Sequence, residues 1–67
     1  MSDDNLVKMA NQIAHYFDSE PDRATAVQGV RQHLKSFWTP AMLRQLGEWI
    51  ERHPGDGVDE KVKEALS

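Results

Sequence analysis

Cysteine is absent from the 67-residue sequence, which removes a disulfide framework, a thiolate nucleophile and every thiolate metal site together. Long apolar runs are absent too: none approaches the ~18 residues that a membrane-spanning helix needs. There is no basic surplus, since 8 Lys plus Arg face 11 Asp plus Glu for a formal net charge of -3. The cations are scattered rather than striped, which argues against the counterion-releasing contact behind most nucleic-acid binding. The opening MSDDNLVKMA carries acids where a secretory signal would carry Lys or Arg. Hydrophobic residues make up 39%, and a chain this short buries only about 60% of its unfolded surface. These limits describe one small domain, residues 1–67, with a thin core. It is expected to be soluble and cytoplasmic, with neither membrane nor nucleic acid as a partner.

What is present is helical periodicity, with no stretch of strict alternation and β-branched enrichment. From about Asp3 to Asp18, Leu6, Met9, Ala10, Ile13 and Phe17 form a stripe at helical spacing, with Ser2 or Asp3 placed to cap its start. Val7, Ala14 and Tyr16 widen that face to nearly half the wheel, more than one neighbouring helix covers. Ser19-Glu20-Pro21-Asp22 interrupts the pattern and restarts it: a serine followed three residues later by an acid reads as a capping box, with Pro21 in the first turn. The second segment carries Val27, Val30, Leu34, Phe37 and Trp38. The adjacent rings flank the stripe, so both can face the core; Phe37 is expected inside, and Trp38 shared between core and partner. Thr39-Pro40 is both stop and start, because proline disfavours α geometry at Thr39 while the pair suits an N-cap and first helical position. A third helix, about Pro40 to Arg52, presents Met42, Leu43, Leu46, Trp49 and Ile50. It ends at His53-Pro54-Gly55-Asp56-Gly57, a turn. The last segment, VDEKVKEAL, spaces Val58, Val62 and Leu66 four apart and is too short to stand without docking. The expected architecture is all-α: a small bundle of three main helices plus a short C-terminal helix.

Catalytic chemistry is not legible. His15, His33 and His53 lack the i, i+4 pairing and facing carboxylate of a helical zinc site. The acids Asp3-Asp4, Glu20/Asp22 and Asp59-Glu60 sit near helix starts, where they complement the helix dipole. No serine or threonine lies in a nucleophile elbow, and Gly55-x-Gly57 follows a helix rather than a strand. The reading is therefore no catalytic, cofactor-binding or metal residue. Gly29 and Gly47 lie inside helices and each cost about 1 kcal/mol relative to alanine. Either they are tolerated, or another chain approaches the backbone closely there. The apolar inventory is generous for so small a bundle, which makes Met9, Tyr16, Trp38, Pro40 and Met42 candidate partner-binding residues.

The motifs N-L-V-K-M-A-N-Q-I followed by Tyr16-Phe17, then H-L-x-x-F-W-x-P-x-M from His33 to Met42, then V-x-x-x-V-x-x-A-L after a glycine-containing turn together span nearly the whole chain. In this combination the sequence resembles the small delta subunit of the NAD-dependent, molybdenum-containing cytoplasmic formate dehydrogenases. It departs from that family's pattern at two positions, which has an acid where Thr39 stands and an arginine where Ala41 stands. Thr39 keeps the cap, but a charged contact at these positions does not follow. The resemblance implies a non-catalytic accessory subunit, with no cofactor of its own, that binds the large subunit of formate dehydrogenase and supports assembly or stability. It also implies molybdopterin and iron-sulfur clusters in the large partner and flavin in another. Two alternatives stand beside it: a transient maturation chaperone for that enzyme, and a small helix-turn-helix DNA-binding regulator, which the acidic charge disfavours. Self-association of the chain is left open.

Overall fold

In the computed structural model, residues 3–53 and 57–66 are described, the first two of them without their side chains. Among these residues all regular structure is helical: α1 (Asp3–Tyr16), a 3-10 turn (Phe17–Ser19), α2 (Arg23–Phe37), α3 (Pro40–Arg52) and α4 (Glu60–Leu66). The expected caps of α1, Ser2 and the Asp3 side chain, fall outside the described residues, as do residues 54–56 of the expected turn.

The first helix ends two residues earlier than its periodicity suggests, and its last turn tightens to 3-10 geometry, closed by Glu20 N–H donating to Phe17 O at 3.1 Å. The restart differs as well. Asp22, not Ser19, is the N-cap of α2, and its carboxylate accepts from Thr25 N at 3.1 Å and from the Thr25 hydroxyl at 2.5 Å. Pro21 is the reason: it disfavours helical geometry at Glu20, which sits at φ -76, ψ 116, so the helix cannot begin until the proline is passed. Glu20 still contributes, accepting from Asp22 N at 3.2 Å.

At the next junction the local chemistry works as its residue types imply. Thr39 is extended and its hydroxyl accepts from Met42 N at 3.2 Å, with Pro40 opening α3. Trp38 is already extended (φ -103, ψ 143), although its N–H still donates to Leu34 O. It has left the helical wheel, and that reverses the expected placement of the two rings. Trp38 turns into the core and is 6% exposed, whereas Phe37, still helical, is 72% exposed.

The molecule measures 33 × 25 × 18 Å, so its thinnest dimension is less than two helix diameters of about 10–12 Å. Every helix therefore keeps an outward face, and the core is a thin seam of Val7, Ala10, Ala14, Val30, Leu34, Trp38, Leu46, Val58, Val62 and Ala65. Small side chains at Ala10 and Ala14, both fully buried, let neighbouring helices approach α1. The short α4 docks chiefly on α2, burying Val62 and Ala65. Polar ties hold it there: Arg23 pairs with Glu64, Arg31 Nε donates to Ala65 O at 3.0 Å, and Lys61 Nζ reaches Asp18 at 2.7 Å and Asp59 at 3.1 Å. Asn11 clamps the approach to α4, donating to Gly57 O at 2.7 Å and accepting from Asp59 N at 2.9 Å. Gly57 has φ +69, the left-handed region in which glycine is unstrained.

Candidate docking groove

Two faces of α1 do different work. Val7, Ala10 and Ala14 enter the core, while Met9, Gln12, Ile13 and Tyr16, spaced i, i+3, i+4 and i+7, line an open groove. This is the excess apolar width that one neighbour leaves uncovered. The 3-10 turn brings Phe17 to the groove, the end of α2 adds His33, Phe37 and Trp38, and α3 adds Met42, enclosing about 700 Å³.

The exposed large hydrophobic side chains among the described residues are Met9 (43%), Tyr16 (78%) and Phe37 (72%), and all three line this groove. Tyr16 and Phe17 meet edge to face with centroids 5.1 Å apart, and the His33 ring lies 4.6 Å from Phe37 at a 35° tilt. Among the described residues no charged side chain lines it. Charges gather instead where α4 meets its neighbours. There the Asp18 hydrogen bond holds the Lys61 ammonium above its usual range, and Glu64 does the same for Arg23. Partial burial alone would raise Asp59, but the Lys61 backbone and side-chain hydrogen bonds outweigh it and hold the carboxyl below its ordinary value. Asp22 is lowered by the Thr25 hydroxyl, then by the Thr25 amide.

Of the residues that the sequence marks for partner binding, Met9, Tyr16, Trp38 and Met42 come together in the groove, Trp38 as a buried part of its wall. Pro40 is exposed at the start of α3 and does not line it. Phe37 is the groove residue that sequence reasoning assigns to the core. Its position on the flank of the α2 stripe was the available signal.

Gly29 has a reason internal to this chain. A Cβ there would lie 2.4 Å from Cε1 of Phe17, so the missing side chain makes room for that ring rather than for another protein. Around Gly47 no described atom beyond its chain neighbours and its own helix backbone lies within 4 Å of such a Cβ. Among the described residues no three or more His, Asp or Glu side chains gather into a metal-binding group, and no helix is long and apolar enough to cross a membrane.

Fold and groove define a small all-α protein that presents an uncharged, aromatic-rich apolar face. The family model of the NADH-dependent formate dehydrogenase delta subunit, FdsD, matches residues 5–66, and the chain belongs to that family. It is thus of the delta-subunit type of a formate dehydrogenase complex. Comparison with curated proteins and with solved structures gave no match.

Proposed function

We propose that this chain is a non-catalytic subunit of a cytoplasmic NADH-dependent formate dehydrogenase, docking through its apolar groove on the large, molybdopterin- and iron-sulfur-containing subunit and supporting assembly or stability of the complex. The observation that carries the reading is the convergence of Met9, Tyr16 and Phe37 on one concave surface. Leaving three large apolar side chains in water is unfavourable at roughly 25 cal/mol per Å² of apolar area, and patches of this kind mark protein-protein contacts. Chemistry at molybdenum and flavin belongs to the other subunits.

The test is affinity isolation of the tagged full chain from its host, with mass spectrometry of what co-purifies, alongside a Tyr16→Ser/Phe37→Ser variant. The expected result is stoichiometric large subunit with the wild-type chain and its loss with the variant, whose circular dichroism melt stays that of the wild type. Equal recovery with both would place the docking face elsewhere. Recovery of only cofactor-free enzyme would favour the maturation-chaperone alternative.

A further inference from the structure

The groove does not stop at Phe37. A second concave surface of about 450 Å³ shares Phe17, His33 and Phe37 with it and continues along α2 past Ser36, Gln32, Gln28 and Gly29 toward Thr25 and Glu20. The two adjoin at these three rings and form one strip. Gly29 to Phe37 alone covers about 12 Å of α2 at ~1.5 Å per residue. In a chain with 28% charged residues, Glu20 is, among the described residues, the one charged residue lining either concavity. Depletion of charge with enrichment in aromatic residues is the composition of an interface centre.

We infer that the strip receives an amphipathic helix of the formate dehydrogenase partner, lying along α2 across both concavities with an uncharged contact face. The inference rests on the docking reading above and adds the form of the occupant and the second half of its seat. Backbone hydrogen bonding selects a helix. The backbone beside the strip belongs largely to α1, the 3-10 turn and α2, whose N–H and C=O groups are mostly paired internally, so an extended segment finds no sheet edge to join. Such a segment would bring its own unpaired amides into an apolar trough, whereas a helix arrives with them satisfied. Spacing agrees: apolar anchors at i, i+3 or i+4, and i+7 span about 10 Å, comparable with the stretch of α2 along the strip. Charge completes the specification. With Gln12, Gln28, Gln32 and Ser36 exposed along the strip, the rim offers amides and a hydroxyl, and its carboxylate, Glu20, stands at the far end and already accepts from Asp22 N, so a charged residue elsewhere on the contact face would lose its hydration without gaining a counter-ion. A second copy of this chain, seated face to face on the same exposed residues, is the competing occupant that the crosslinks below separate from the partner.

The test places a carboxylate in the second concavity, at exposed α2 positions, with Gln28→Glu and Gln32→Glu, and uses Gln45→Glu on the exposed side of α3 as the control. Binding of the full chain to purified large subunit of formate dehydrogenase is measured by interferometry. Each α2 variant should weaken binding by about tenfold or more, and the control should stay within about twofold, all three with wild-type melts. Benzoylphenylalanine placed at Gln28 and, separately, at Met9 should crosslink to one segment of the large subunit, at positions one or two helical turns apart. Undiminished binding of both α2 variants overturns the inference. Crosslinks to two unrelated segments or to a second copy of this chain do so as well. If the wild-type chain binds no large subunit at all, the docking reading falls, and this inference falls with it.

Discussion

Replacing each helix-interior glycine by alanine separates packing from propensity, because the two sites share a backbone state and differ in their surroundings. In an unobstructed helix the change stabilises by about 0.5–1 kcal/mol. Gly47 is unobstructed, with no described atom beyond its own helix backbone and chain neighbours within 4 Å of where a Cβ would stand, so Gly47→Ala should raise the melting temperature by several degrees, at ~4–8 °C per kcal/mol for a chain of this size. At Gly29 the new methyl would stand 2.4, 2.7 and 2.9 Å from Cε1, Cζ and Cδ1 of Phe17, against an ordinary carbon-carbon contact of about 3.5–4.0 Å. The ring must retreat by about an ångström, disturbing its edge contact with Tyr16. Overpacking of this kind costs about 1–3 kcal/mol, which exceeds the gain in propensity, so Gly29→Ala should melt below the wild type. Circular dichroism melts of both variants provide the measurement. In a Phe17→Ala background the obstruction is gone and Gly29→Ala should become stabilising, a coupling that a double-mutant cycle reads directly. If Gly29→Ala raises the melting temperature as much as Gly47→Ala does, the Phe17 ring does not bear on Gly29.

The adjacent rings should respond in opposite ways. Trp38→Ala should lose about 3–5 kcal/mol, close to the whole stability of so small a fold, and abolish a cooperative melt, while Phe37→Ala should shift stability by no more than about 0.5 kcal/mol and register only in partner capture. Asn11→Ala removes both hydrogen bonds to the segment before α4 and should cost about 2 kcal/mol in urea unfolding, with faster hydrogen exchange at the Asp59 amide. The pH profile should fall at both ends. Asp22 and Asp59 sit below their ordinary 3.8 when folded, so their contribution is present above that value and is lost as pH drops through the lowered range. Lys61 sits above 10.5, so its contribution is present below that value and is lost as pH climbs through the raised range. Asp59→Asn should flatten the acid limb, and Lys61→Met the alkaline one, in melts followed across pH.

How far the sequence reaches is seen at Thr39-Pro40. Hydroxyl and pyrrolidine ring act within a few bonds of their own backbone, so the end of α2 and the whole of α3 were legible from residue types. The periodicity of Val58, Val62 and Leu66 likewise marked a final helix that has to dock. The resemblance carried by His33 to Met42 and its flanking motifs named the family that the comparison then showed. A local rule also misled at Ser19, where the capping pattern ignored that Pro21 keeps Glu20 extended and hands the cap to Asp22.

Tertiary structure decided what depends on the direction in which the chain leaves a helix. A helical wheel places Phe37 and Trp38 side by side, but Trp38 has left helical φ/ψ, and which ring is enclosed depends on where α1 and α3 stand. One ring therefore closes the core while the other is left in water. The same dependence hid the reason for Gly29, since Phe17 reaches it only after the 3-10 turn folds α1 back on α2. It also hid the groove, because Met9, Tyr16 and Phe37 share a surface only once two helices distant in sequence lie against each other. Periodicity assigns apolar residues to faces; which of those faces remains uncovered is settled by how few helices a chain of this length can pack around them.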